Sequence, residues 1–155
     1  SQLTGASYDP GYQNTGYFVR KYAPLQANTA GDGAIPLNWA NNVREIRYAD
    51  VLLMAAEALN RGSISDTRAQ GYLNRVRTRA TLPDVATTGN NLTTDIYKER
   101  RVELVGEGHR FFDLVRTGRA AQEITGFTAG KHEVFPIPDI EIQLAGDRWT
   151  QNPGY

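Results

Sequence analysis

Arg47-Tyr-Ala-Asp-Val-Leu-Leu-Met-Ala-Ala-Glu-Ala-Leu-Asn60 is the stretch around which the chain is organised. On a helical projection, Val51, Leu52, Leu53, Met54 and Leu59 cover most of the circumference, and Ala49, Ala55, Ala56 and Ala58 fill the remainder with small side chains. A helix that is apolar on most sides is buried on most sides, so the expectation is a central helix with neighbours packed closely against its alanines. Asp50 and Glu57 share the one narrow polar arc, where they face either solvent or a buried arginine.

The pattern extends this helix over about 43–61, with Gly62 as its C-terminal cap. Ser65 or Asp66 caps a second helix. Ala69, Tyr72, Leu73, Val76 and Ala80 recur at the spacing of a half-buried helix, and Pro83 ends it. The two make an antiparallel hairpin of about 35 residues, the size of a tetratricopeptide unit. After a Thr/Gly/Asn loop over 84–92, Thr93 or Thr94 caps a third helix over about 95–106. Here Arg100 and Arg101 project into the apolar arc formed by Ile96, Tyr97, Leu104 and Val105. Guanidinium groups turned toward a core need carboxylates, because an unpaired buried ion costs several kcal/mol. Glu103 and Glu107 lie on that side, and Asp50 and Glu57 are the natural partners across the interface. A buried network of Asp50, Glu57, Arg100, Arg101, Glu103 and Glu107 joining the first and third helices is therefore expected.

Gly106 and Gly108 interrupt the third helix. A short fourth helix follows over 110–116, with Phe111, Leu114 and Val115 inward. The remaining elements are a strand or extended strip at 132–135, a rigid Pro136-Ile-Pro138, and one or two helical turns from Asp139. The tail from Trp149 has turn chemistry and must pack on something to be ordered. Near the N-terminus, Thr15 to Tyr22 reads as a strand or extended segment. Residues 23–42 form a structureless loop of about 20 residues, a length often associated with function.

Lys plus Arg and Asp plus Glu number 17 each, so the 155-residue chain, one domain or part of one, carries no formal charge. Phosphate recognition needs a basic surplus, which argues against nucleic acid as a partner. No apolar run reaches the ~18 residues of a membrane-spanning helix, and the N-terminal residues lack the charged-then-apolar pattern of a signal peptide. With no cysteine there are no disulfides, thiolate metal sites or cysteine nucleophiles.

Candidate chemistry is sparse. His109 and His132 have neither Glu-x-x-His nor His-x-x-x-His spacing, so no metal site or other cofactor is expected. Glu99, Glu103 and Glu107 form a ladder that an acid–base pair could use, but the interleaved Arg100 and Arg101 favour structural ion pairing. The glycines at 106 and 108 belong to no phosphate loop, and no nucleophile elbow is present. Arg75 and Arg79 lie on a solvated face, with Arg77 bordering the apolar stripe. Loop aromatics are more suggestive. Trp39, flanked by Asn38, Asn41 and Asn42, together with Tyr12, Tyr17 and Tyr22, offers flat faces for sugar rings and amides for hydroxyls. Alternatively, Trp39 pins its loop to the core.

Five motifs in order complete the reading: Arg47 to Ala58, Leu73 to Ala80 with Leu82-Pro83, Glu99 to Arg116, Phe135 to Pro138, and Gln151-Asn-Pro-Gly-Tyr155. Together they resemble the C-terminal half of the RagB/SusD family over roughly residues 15–155. The resemblance implies a mainly α fold of tetratricopeptide-like hairpins with long irregular loops and at most one or two short strands. It implies a non-catalytic outer-membrane lipoprotein of Bacteroidetes that binds glycans, or sometimes other nutrients, at the cell surface. Such proteins act as a lid on a TonB-dependent, SusC-like transporter. Family ligand contacts are mostly loop aromatics outside the motifs, so the motifs read as scaffold. On this basis residues 1–155 are expected to be the C-terminal segment of such a domain, with the N-terminal helix pairs and the lipid-bearing cysteine in a missing N-terminal part. One side of the helical layer is then expected to be exposed or covered by a neighbour.

Three functions are open to these residues: glycan binding through Trp39, Asn38, Tyr17 and Tyr12; a helical module binding peptides or proteins; and an enzyme using the third-helix glutamates. The first is preferred. The first two separate on whether binding depends on Trp39, and the third on whether Glu103→Gln abolishes turnover with the fold intact.

Overall fold

The computed structural model describes residues 20–22 and 44–155. The described part is helical: α1 (Tyr48–Arg61), α2 (Asp66–Arg79), α3 (Gly89–Glu103), α4 (His109–Arg116), α5 (Ala120–Glu123) and α6 (Asp139–Ala145), with 3-10 turns at Arg20–Tyr22 and Gly146–Arg148. Among the described residues there is no strand. The chain forms two compact units, Ser1–Val51 and Leu52–Tyr155, with α1 beginning in the first and running into the second. In the first unit the Arg44 guanidinium donates to the Lys21 carbonyl at 2.9 Å.

Two expected extended segments are helical or turn structure instead. Arg20–Tyr22 is a 3-10 turn at the end of the strand or extended segment expected over 15–22, whose other residues lie outside the described ones. Residues 131–133 are turn, because the Lys131 and His132 amides both donate back to the Thr128 carbonyl.

α1 starts at Tyr48 rather than near 43. It is buried along Asp50, Leu53, Glu57 and Asn60, with Leu52 and Ala56 beside them. Val51 and Met54 are 42% and 46% exposed, so the helix is not enclosed on most sides. The arc carrying its two carboxylates faces inward. α1 closes through Ser63, which takes the left-handed conformation (φ 53), and the Ile64 amide returns to the Leu59 carbonyl at 2.9 Å. Gly62 has a different role from that of a left-handed cap: a Cβ there would lie 2.8 Å from the Ala58 oxygen.

α2 begins as its cap predicts, with the Ser65 hydroxyl accepting from the Arg68 amide. Ala69, Leu73 and Val76 are buried and Tyr72 is half-buried, while Ala80 falls beyond the helix and is exposed. Residues 80–88 then run back along α2. Arg77 donates to the Pro83 carbonyl at 2.8 Å, Asn74 bonds both the amide and the carbonyl of Val85, and Gln70 donates to the Thr87 carbonyl at 2.7 Å. Residues 70, 74 and 77 share one helix face, so the segment is strapped down by a row of polar side chains.

This return makes α3 parallel to α2. The two N-termini meet where Asp66 accepts from the Gly89 amide at 2.7 Å, and their C-terminal halves meet where Arg77 pairs with Glu99. That capping from outside the helix lets α3 begin at Gly89, six residues before the expected start. Thr93 and Thr94 do not cap it. Thr93 donates to Asn60, and Thr94 donates to the Asn90 carbonyl one turn back at 3.0 Å.

α1 is antiparallel to both α2 and α3. Its C-terminal Asn60 donates to Asp66 at 2.7 Å and to the Gly89 carbonyl at 3.1 Å. The core consists of Leu52, Leu53, Ala56, Ala69, Leu73, Val76, Leu92, Ile96, Leu104, Leu114 and Ala120. The tail packs as expected. Gln151 bonds both the amide and the carbonyl of Ile137 at 2.8 Å, Asn152 reaches the Phe135 carbonyl, and Tyr155 reaches the Val134 carbonyl.

Candidate functional site

The residues expected to contact ligand, Trp39, Asn38, Tyr17 and Tyr12, lie outside the described residues. What the described residues contain is the ion network, built differently from the expectation. Arg100 is buried (5% exposed) on the face of α3 that carries Leu92, Ile96 and Glu103. Arg101, one residue on, is rotated by about 100° into solvent and is not part of the buried network.

Arg100 finds its carboxylate on α4: its Nε donates to Asp113 Oδ2 at 3.0 Å. Asp113 also accepts from Arg116 Nε at 2.9 Å, three residues on in the last turn of the same short helix. Arg116 then forks onto Glu57 of α1 at 2.7 and 2.8 Å, and Arg61 donates to Glu57 at 3.1 Å. The chain of charges is thus Arg100–Asp113–Arg116–Glu57–Arg61. α4 is the bridge between α1 and α3, and both of its contributing residues went unrecognised in the sequence. Their i, i+3 spacing on this short helix was the available signal.

Glu103 is buried and pairs with Arg79 of α2 at 2.6 Å; Glu99 is buried and pairs with Arg77 at 2.7 Å. The glutamate ladder is therefore neutralised chiefly by α2, with Arg79 engaged despite its solvated position. Glu107 is half-buried and Asp50 is buried. Every buried side-chain nitrogen or oxygen among the described residues has a hydrogen-bond partner.

Burial works against ionisation of both Glu57 and Asp113. For Glu57 it is outweighed by the hydrogen bonds of Arg116 and Arg61, with the charges of Arg116 and Arg100 adding to them, so the carboxyl is held below its ordinary range. Asp113 is likewise held low by Arg100 and Arg116 against its burial. Arg116 is held more firmly protonated than an ordinary arginine, chiefly by Glu57. Burial, followed by the Glu57 charge, pushes the Tyr97 phenol up, while the Arg119 guanidinium stacks on its ring at 4.1 Å. A general acid or base works best with a proton affinity near the operating pH. Carboxylates held low and saturated by guanidinium donors serve as fixed charges.

Two surface depressions adjoin the network. One, of about 450 Å³, is lined by Met54, Glu57, Ala58, Arg61, Gly62 and Arg116. The other, of about 420 Å³, lies over the Gly106–Gly108 turn, between Arg101, Leu104, Arg110 and Phe111. His109 is the first residue of α4 and lines this second depression.

Comparison with known proteins places this architecture. Residues 1–133 match the SusD family, and the chain belongs to it. A SusD-like protein P2 of Formosa agariphila is 31% identical over 153 residues, 87% of this chain and 29% of that relative. A SusD-like protein of Bacteroides ovatus is 34% identical over 67% of this chain and 19% of its own length. Among solved structures, a SusD homolog from Bacteroides thetaiotaomicron superposes with a TM-score of 0.68 at 35% identity, covering 81% of this chain and 28% of that one. The surface glycan-binding protein A from Bacteroides uniformis gives a TM-score of 0.66 at 35% identity, over 91% of this chain and 33% of that protein. The chain therefore spans about a third or less of the relatives it matches.

Proposed function

We propose that these residues are the C-terminal segment of a SusD-like domain, and that the whole protein binds oligo- or polysaccharide without catalysis at the bacterial outer-membrane surface. In this reading it delivers the glycan to a TonB-dependent, SusC-like transporter, and a lipid on a cysteine of an N-terminal part anchors it. Family membership supports the reading, and the 35% identity to a surface glycan-binding protein over 91% of this chain carries it. The ion network fits a scaffold role, because its carboxylates are held charged and paired, which suits rigidity rather than proton transfer. Within this segment, Trp39, Asn38, Tyr17 and Tyr12 are the residues proposed to meet sugar.

The test is affinity electrophoresis of this chain beside the full-length protein, through gels containing a panel of polysaccharides. Retardation of both, lost in Trp39→Ala, places the site among these residues. Retardation of the full-length protein alone moves the site elsewhere and leaves this segment as scaffold. If neither is retarded by any polysaccharide, the glycan reading fails and peptide or protein ligands take its place.

A further inference from the structure

His132 closes a turn as an acceptor. The Thr128 amide donates to His132 Nδ1 at 2.8 Å, and the His132 amide donates to the Thr128 carbonyl at 3.0 Å, so the same turn is tied from both sides. The imidazole packs edge-on to Phe127 (5.6 Å, 79°), and Phe127 packs on Phe111 of α4 at 6.4 Å. The same turn holds the Lys131 amide on the Thr128 carbonyl at 3.2 Å and presents the Lys131 ammonium to the Tyr155 ring at 4.7 Å. The turn thus leads directly into residues 134–137, whose carbonyls hold the tail.

An imidazole nitrogen that accepts a hydrogen bond carries no proton, so the ring is neutral with its proton on Nε2. On protonation both ring nitrogens become donors. The Nδ1 proton would then meet the Thr128 amide proton, two donors with no acceptor between them. We propose that His132 is a pH-operated latch: neutral, it closes the 128–132 turn; protonated, it releases the turn and with it the seat of Lys131 on Tyr155. The charged and titratable groups around it have other engagements. Lys131 lies on the Tyr155 ring, the Tyr155 phenol donates to the Val134 carbonyl, and Arg110 of α4 pairs with Glu123 of α5. Glu133 is adjacent in the chain and exposed.

The test is NMR of the ¹⁵N-labelled chain from pH 8 to 5. The imidazole nitrogens report the tautomer, and the Thr128 amide reports the latch as a hydrogen-exchange protection factor, corrected for the intrinsic pH dependence of exchange. The neutral ring should show the Nε2–H tautomer, and Thr128 protection should fall roughly five- to tenfold as His132 protonates, the equivalent of one ordinary hydrogen bond. In His132→Asn, whose Oδ1 can take the place of Nδ1, protection should persist across the range. Glu133→Gln should leave the transition in place. An Nδ1–H tautomer in the neutral ring, or Thr128 protection unchanged through the His132 titration, would overturn the proposal. Both readouts come from the wild-type chain, so neither depends on a variant that folds.

Discussion

Arg116 of α4 and Glu57 of α1, 59 residues apart in sequence, form a two-point fork with Nη1–Oε1 at 2.7 Å and Nη2–Oε2 at 2.8 Å. Bidentate geometry of this kind fixes the relative position of two helices as well as supplying energy. Glu57→Gln keeps the shape and removes the charge. Because Arg116 is 41% exposed, the expected loss is moderated by solvent, at about 2–4 kcal/mol. It should appear as a lower urea midpoint with an unchanged slope. A variant as stable as the parent would show that the fork is incidental.

Two arginine–carboxylate pairs should behave very differently. The side chains of Arg100 and Asp113 are 5% and 10% exposed, whereas Arg79, paired with Glu103, is 61% exposed. Arg100→Gln should cost about 3–5 kcal/mol, since it leaves Asp113 short of a buried partner. Arg79→Gln should cost about 1 kcal/mol or less. Equal losses in thermal melts of the two variants would contradict the burial argument.

Acid should weaken the fold through Glu57 and Asp113. Both carboxyls bind protons less readily folded than unfolded, so the unfolded chain takes up more protons as the pH falls. Their stabilising contribution is complete above the ordinary carboxylate range of about 3.9–4.3. It is lost as pH drops through that range and on through their lower folded values. The melting temperature should therefore fall steeply below about pH 4, and Glu57→Gln should fall less steeply than the parent. Parallel curves would mean that Glu57 is not linked to folding.

Asn60 joins the ends of three helices: its amide donates to Asp66 and the Gly89 carbonyl, and its oxygen accepts from Thr93. Removing it as Asn60→Ala strands those partners at a buried position and should cost about 2–3 kcal/mol. Asn60→Asp should be worse near neutral pH than at pH 3, because it sets a carboxylate against Asp66. Urea titrations at the two pH values separate these cases.

The tail should detach independently of the core. Gln151 mimics a strand partner for Ile137, using its side-chain amide for both backbone groups. Gln151→Ala should sharply increase proteolysis after about residue 145 while the main melting transition stays within about 2 °C, since the site is peripheral. A large global loss would show that the tail is part of the cooperative core.

Much of the helical frame was legible because its signals are local. Ser65 capping α2, Pro138 opening the helix at Asp139, and the 69–73–76 stripe each depend on residues within about a turn of one another. Where the reading failed, a distant group had intervened. Asp66 supplies the α3 cap across 23 residues, so Thr93 and Thr94 were free to act elsewhere. The inward arc of α1 carried Asp50 and Glu57 rather than Val51 and Met54. For Glu57 the reason is that α4 delivers Arg116 to that face, which hydrophobicity alone does not reveal.

By itself, the sequence determined the class of protein, the order and approximate extent of the helices, and the need for buried guanidinium–carboxylate pairing around Arg100. Periodicity, caps and the ordered motifs carry that information along the chain. The tertiary structure decided which charges meet: Arg100 with Asp113, Arg116 with Glu57, and Arg77 and Arg79 with Glu99 and Glu103. It also decided that α3 runs parallel to α2. A charge pair depends on where two helices cross, and a return segment's direction depends on the side chains that strap it down. Both are set by packing between residues far apart in sequence, and local spacing carries no record of either.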